Sequence, residues 1–374
     1  MTRARIFAGL CIACLLASCA PRPPGLGSPV GWAQLDGWEE DRQAEAWPAL
    51  LRSCDALARR AKWREICAAA RALPPPDDAA ARKFFERWFR PHPLRGKGGA
   101  KRGLITGYYE PLLFGSFTRD ARYRHPLYAQ PESLLTLELG ALHSQLAGNK
   151  FRGRLAGGRV VPFYTRAEID AQPSPLAGGE LIWLDDRDAV FFLHIQGSGR
   201  IQLPDGRVIA AAYRNHNGHP YRSIGRILVE RGELTREEAS LFGIRRWLRE
   251  NPQRAQELLF LNPRYVFFAL RDEKNPGARG ALNVPLSAQR SIAIDPAVVE
   301  LGAPVWLTTN YPGAPRRPYR RLVMAQDTGG AITGALRADL FWGHGARAER
   351  AAGVMREQGG LTVLLPINSG ESQE

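Results

Sequence analysis

Three observations predict a mainly β fold preceded by N-terminal helices. The 38 Gly and 28 Pro in 374 residues call for many turns. From residue 104 onward, short apolar runs alternate with turn residues. Helical spacing of apolar residues, by contrast, is concentrated in 38–90. The length, with 44% hydrophobic and 24% charged residues, suits two or three domains with sizeable cores. Nine Trp, fifteen Phe and ten Tyr exclude disorder as the dominant state. No stretch reaches the ~20 apolar residues of a bilayer span, which excludes a polytopic membrane protein. Lys and Arg total 51 against 37 acidic residues, a net charge of +14. That excess suits a polyanionic partner, whether nucleic acid, an anionic membrane face or an acidic polymer.

Residues 1–18 read as a signal peptide, with Arg3 and Arg5 before the apolar run 6–17. The run ends in Leu16-Ala17-Ser18-Cys19, the order of a bacterial lipobox. Cleavage there leaves Cys19 as an acylated N-terminus, which multiple acyl chains hold stably in a membrane. An ordinary cleavage site or a buried apolar helix are the alternatives. Ala20 follows Cys19, which by resemblance to other lipoproteins points to the outer membrane. Cys11 and Cys14 leave with the signal, so their spacing marks no metal site. Cys54 and Cys67 remain in an oxidising compartment, either paired across two short helices or as two small buried residues. Residues 19–37, rich in Pro and Gly, form a tether.

The helical segment occupies 38–105, with Ala46, Leu50, Leu51, Leu57, Trp63, Ile66 and Cys67 at helical spacing. Pro74-Pro75-Pro76 interrupts it, and Phe84, Phe85, Trp88 and Phe89 resume it. Residues 90–102 make a basic loop. Strands are expected at 104–109, 181–184, 190–195 and 201–203, the last closed by the turn Pro204-Asp205-Gly206. A helical interlude covers 223–251. A second β block runs over 265–365, with strands at 305–307, 321–325 and 361–365. The tail 368–374 is polar.

His216 and His219 flank Asn217-Gly218, a turn that explains the pair better than a metal. No Gly-x-Ser-x-Gly elbow, phosphate loop or dinucleotide fingerprint occurs. In Gln196-Gly197-Ser198-Gly199 the glycines let a ligand approach the backbone. Asp295, Asp327 and Asp339 each lie at a strand or turn edge beside an apolar run. Burial raises a carboxyl pKa unless donors or cations compensate. Leu340, Phe341 and Trp342 beside Asp339 therefore favour a protonated acid. Each Asp taken alone also fits a turn cap.

Several ordered motifs carry a resemblance over roughly 100–366. They are Thr106-Gly107-Tyr108-Tyr109-Glu110-Pro111, His194-Ile195-Gln196-Gly197-Ser198-Gly199-Arg200 and Tyr221-Arg222-Ser223-Ile224-Gly225. Asn262-Pro263-Arg264-Tyr265-Val266-Phe267-Phe268, Gly280-Ala281-Leu282-Asn283-Val284-Pro285-Leu286 and the three-aspartate segment complete the series. Together they resemble the membrane-bound lytic murein transglycosylase A family. The resemblance implies a double-psi β-barrel domain and a second, inserted β domain with a glycan groove between them. On that reading 106–262 is the insert and 263–367 the three-aspartate barrel region. Asp339 is then the catalytic acid, with Asp327 and Asp295 in support. Relatives in part carry His-Phe where this chain has Arg337-Ala338.

The reaction implied is non-hydrolytic cleavage of the MurNAc–GlcNAc bond, with one aspartate acting as acid and then base and a 1,6-anhydro ring as product. Tyr108, Tyr109, Gln196 and Ser198 are the expected sugar contacts. No cofactor or metal is implied. The basic excess then suits anionic peptidoglycan rather than nucleic acid, with the outer membrane held through Cys19. Two other readings are an inverting hydrolase with Asp327 as base and a non-catalytic, expansin-like wall-binding lipoprotein.

Overall fold

The computed structural model describes residues 25–271, 277–313 and 315–367. The expected leader, Cys19 and the polar tail lie outside the described residues. Six strands close on themselves in the order Gly103–Glu110, Arg356–Pro366, Pro304–Asn310, Pro318–Asp327, Ser291–Ala293 and Ala338–His344. Closure leaves no unpaired edge among them. Arg356–Pro366 is long enough to pair twice. Its first half meets Gly103–Glu110 and its second half meets Phe89–Pro93, a seventh strand. Two of the pairings are parallel, Ser291–Ala293 with Pro318–Asp327 and Ala338–His344 with Gly103–Glu110.

Helices Trp47–Leu57, Ala61–Ala72 and Asp78–Trp88 cover this barrel, as the helical spacing predicts. Pro48 sits in the first turn of the first helix, where a missing N–H costs nothing. Asp77 caps the third by accepting from Ala80 N at 2.7 Å. Leu50, Leu57, Trp63, Phe85 and Phe89 share one core with Val305, Trp306, Leu322, Val323 and Leu340. Cys54 and Cys67 are disulfide-bonded, Cα to Cα 5.3 Å, which settles the alternative that the sequence leaves open. A buried ion pair adds a second tie. Arg290 Nη1 and Nη2 donate to Asp41 Oδ2 and Oδ1 at 2.7 and 3.0 Å, and Nη2 also donates to Glu45 Oε2 at 2.9 Å.

The inserted unit is a six-stranded sheet of Leu112–Ser116, His125–Tyr128, Glu180–Leu184, Ser198–Gln202, Val208–His216 and Val266–Arg271. A smaller sheet of Leu135–Leu137, Phe151–Ala156 and Arg159–Pro162 stands beside it. Strand pairing crosses the expected boundaries of 106–262 and 263–367 at two places. Gly103–Glu110 belongs to the barrel, and Val266–Arg271 belongs to the insert.

The expected strand at 190–195 is also corrected, because those residues lie in the helix Arg187–Gln196. Asp186 caps it from Asp188 N and Ala189 N. Val190, Phe191, Phe192, Leu193 and His194 are all buried, so the run is apolar on every face and shows no helical period. The interlude at 223–251 divides into Ile224–Glu230 and Leu241–Glu250, and Pro252–Phe260 follows. The helix Ala346–Val354 has no forecast in the sequence reading. Among the described residues, no helix is long and apolar enough to cross a membrane.

Candidate active site

Strand register puts two of the three aspartates in one row. Asp339 stands opposite Ala293 on one side and Thr106 on the other, and Ala293 stands opposite Asp327. Residues directly opposed across paired strands point to the same sheet face. Asp327, Ala293, Asp339 and Thr106 therefore share that face, with the aspartate backbones two strand spacings apart, about 10 Å. Between them stands the small side chain of Ala293, packed with Tyr108, Ile332 and Phe341. A bulge at Gln326 sets this register. It turns the buried Gln326 side chain towards the covering helix, where Nε2 donates to Ala49 O at 2.8 Å and Ser53 Oγ at 3.0 Å.

The two carboxyls differ in what holds them. Asp327 Oδ1 accepts from Ala281 N at 2.9 Å and Thr328 N at 2.8 Å, and Oδ2 accepts from the Tyr108 hydroxyl at 2.8 Å. Gly280 allows the close approach, since a Cβ there would lie 2.3 Å from Gln326 O and 3.0 Å from Asp327 Cβ. Asp339 Oδ1 accepts from Thr106 Oγ1 at 2.7 Å, and no described residue donates to its Oδ2. Burial pushes both carboxyls up. Asp327 rises to about 6, with its three donors acting against burial and the charge of Asp339 adding to it. Asp339 rises by burial, opposed by Arg337 and by the Thr106 bond. The repulsion falls on Asp327, whose three donors work against it by favouring the negative charge. The phenol of Tyr108 is pushed well up by burial and by both aspartates, so it stays a donor.

Asp295 stands apart from the row. Its Oδ1 accepts from Ala297 N at 2.9 Å and its Oδ2 from Gly334 N at 2.6 Å, so it caps its own turn and pins the loop before the Asp339 strand. That geometry is structural. Tyr108 and Tyr109, expected to stack on sugar, are 9% and 4% exposed, with most of each ring turned into the protein. The Tyr108 ring packs on Phe341 at 5.2 Å. Tyr109 points the other way, its hydroxyl donating to Glu349 Oε1 at 2.9 Å. Arg245 of the insert reaches the same oxygen at 2.7 Å, which links the two units. Gln196 Oε1 accepts from Tyr109 N at 3.1 Å, and Ser198 lies half-buried two residues on. His216 accepts from Gly218 N and His219 bonds Phe163 O, so both serve the turn around Asn217. Among the described residues, no His, Cys, Asp and Glu cluster could hold a metal.

Comparison with known proteins agrees with this layout. Residues 104–269 match the family described as MltA specific insert domain, and residues 290–365 match the 3D domain. The crystal structure of MltA from Neisseria gonorrhoeae superposes with a TM-score of 0.77 at 35% identity, covering 93% of this chain and 97% of that one. The chain belongs to the MltA family. Membrane-bound lytic murein transglycosylase A of Escherichia coli strain K12 is 32% identical over 267 residues, 70% of this chain. The match spans 65% of that relative's length. The crystal structure of E. coli MltA with bound chitohexaose is 26% identical with a TM-score of 0.67, covering 92% of this chain and 95% of that one. The closed sheet with its parallel crossings is thus the double-psi β-barrel of the 3D domain, and the six-stranded unit is the insert specific to MltA.

Arg264 and Tyr213 are the residues of this MltA family member that sequence reasoning leaves without a role. Arg264 lies in a quoted motif, yet only the fold shows it facing the loop after Asp327. Tyr213 is 48% exposed on an insert strand and carries no sequence signal beyond its ring.

Proposed function

We propose that the protein is a peptidoglycan lytic transglycosylase that cleaves the MurNAc–GlcNAc bond and closes a 1,6-anhydro ring. One observation carries the reading. Asp339 has one carboxyl oxygen to which no described residue donates, while both oxygens of its neighbour Asp327 are engaged. Burial raises Asp339 and so favours its protonated form, which delivers the proton to the glycosidic oxygen. The resulting carboxylate then takes the proton of the muramyl C6 hydroxyl as that oxygen attacks C1. The nucleophile belongs to the substrate, so no second catalytic carboxylate is required, unlike the pair of an ordinary glycosidase. An intramolecular hydroxyl competes with water through its high effective molarity.

Asp327, negative and held by three donors, favours the proton on Asp339 and stabilises positive charge developing at C1. Gln196 and Ser198, beside the strand that carries Thr106, supply polar contacts to the glycan. The likeness to a relative that binds chitohexaose supports a glycan strand in the groove. Mass spectrometry of products from purified sacculi tests the reaction. Products lighter by one water than their hydrolysed counterparts are expected, and products bearing reducing ends would overturn the proposal.

The Asp327 charge makes a pH prediction. If Asp339 works as the protonated acid, activity is lost as pH rises through its pKa. Removing a nearby negative charge lowers that pKa. Asp327→Asn should therefore move the alkaline limb of the rate profile to lower pH. An unmoved limb would reduce Asp327 to a turn cap. Membrane attachment through Cys19 belongs to the same proposal, and it rests on the lipobox and the membrane-bound relatives. Cys19→Ala should shift the protein from the membrane to the soluble fraction on cell fractionation.

A further inference from the structure

Arg264 crosses from the insert to the barrel. A Cβ added at Gly330, three residues after Asp327, would lie 3.2 Å from the Arg264 Cζ and Nη2 and 3.3 Å from Nη1. The guanidinium thus lies face-on over the loop that follows the active-site row. Its position is fixed from both sides, since Asn217 Nδ2 donates to Pro263 O at 2.8 Å and Oδ1 accepts from Tyr265 N at 2.9 Å.

What the guanidinium binds is a different matter. Its one side-chain hydrogen bond goes to His219 O at 3.4 Å, and no ion pair with a described residue engages it. Arg152 lies close by, with Nε donating to Asn215 Oδ1 at 3.0 Å and a buried Nη1 that has no partner. The two cations repel, and with burial they push the imidazole of His216 down to about 4. Burial, with Arg152 adding to it, also lowers Arg264. Glu168, whose charge reaches Arg154 and His219, is bonded to Thr165 N and Oγ1 at 2.7 Å. Two partly buried guanidiniums with unused donors, and no carboxylate partner among the described residues, thus lie by the turn around Asn217, one of them over the loop after Asp327. Their planar forks match a carboxylate in both geometry and charge.

We propose that Arg264 and Arg152 form a carboxylate subsite on the insert wall, which reads the anionic groups of the glycan bound at the Asp339 site. The inference rests on the murein reading above and specifies which part of murein the wall recognises. Two sources share this chemistry. One is the lactyl carboxylate of peptide-free muramyl units, and the other is a free carboxylate of the stem peptide.

The test is a chemical double-mutant cycle on binding, run with Asp339→Asn so that the glycan survives. Affinity is measured for peptide-free murein glycan and for peptide-bearing murein chains, each before and after amidation of its carboxylates. Amidation should weaken binding to the Arg264-containing protein about 10–100-fold, the range for a hydrogen bond to a charged group. It should weaken binding by the Arg264→Gln form, which keeps Arg152, distinctly less. Coupling on the peptide-free glycan identifies the lactyl group, and coupling only on the peptide-bearing chains identifies the stem. Amidation that weakens both forms equally, or neither, on both glycans overturns the subsite. If Arg264→Gln melts early, Arg152→Gln gives the same comparison from an outlying strand. Release of anhydro products by the unsubstituted protein is read separately, so loss of the subsite and loss of the proposed function are distinguishable.

Discussion

Asp339→Asn should abolish turnover of sacculi while leaving the fold and glycan affinity intact. The amide keeps the shape of the side chain and can still accept from Thr106 Oγ1, which lies 2.7 Å away. It has no proton to transfer, and loss of general acid–base catalysis alone costs about 10^2–10^4-fold. The free Oδ2 makes the outcome specific, because it is the carboxyl oxygen of the row that no described donor occupies. Rates of anhydro-muropeptide release, with thermal melting as a control for folding, decide it. A variant that keeps more than about a tenth of the rate would move the acid to Asp327.

Arg290→Met should produce the largest loss of stability. The Arg290 and Asp41 side chains are only 3% and 4% exposed. Asp41 also accepts from Leu322 N at 2.9 Å, and Arg290 donates to Leu322 O at 3.0 Å and Arg42 O at 2.9 Å. Removing the guanidinium strands a carboxylate in the interior, and breaking a buried pair from one side costs about 3–5 kcal/mol. Urea denaturation of the single variant and of Asp41→Leu with Arg290→Met separates the causes. The double variant should recover much of the loss, since a well-packed apolar pair replaces a buried ion pair at little cost. A single variant as stable as the original would mean that water reaches Asp41.

The β texture, the N-terminal helices and the motif-bearing aspartates were legible because each leaves a local mark. Residues 305–307 and 361–365 are apolar runs inside real strands, and Leu50, Leu57 and Trp63 repeat at helical spacing. The helix Arg187–Gln196 was hidden because it is buried on every side. The orientations of Tyr108 and Tyr109 are hidden in the sequence for a similar reason. Alternation along Gly103–Glu110 sends their rings to opposite faces, and only the parallel partner Ala338–His344 shows that one face carries the aspartates. That Asp295 lies off the row follows from strand pairing across the closed barrel, which spacing along the chain does not encode. Arg264 is a case of the same kind, because its neighbour Gly330 is 66 positions away.

The strand Gly103–Glu110 runs through Pro111 directly into Leu112–Ser116, the first strand of the insert. Thr106 and Tyr108, which hold the two aspartates, are therefore covalently in line with the opposite wall of the groove. Two ties brace the joint, Arg200 to Glu110 at 2.8 Å and Arg245 to Glu349 at 2.7 Å. A hinge at this point would drag Thr106 off Asp339 whenever the walls parted. Any parting of the two units would therefore pull on the residues that hold the aspartates, so the geometry of the row and the seating of the insert are mechanically one quantity.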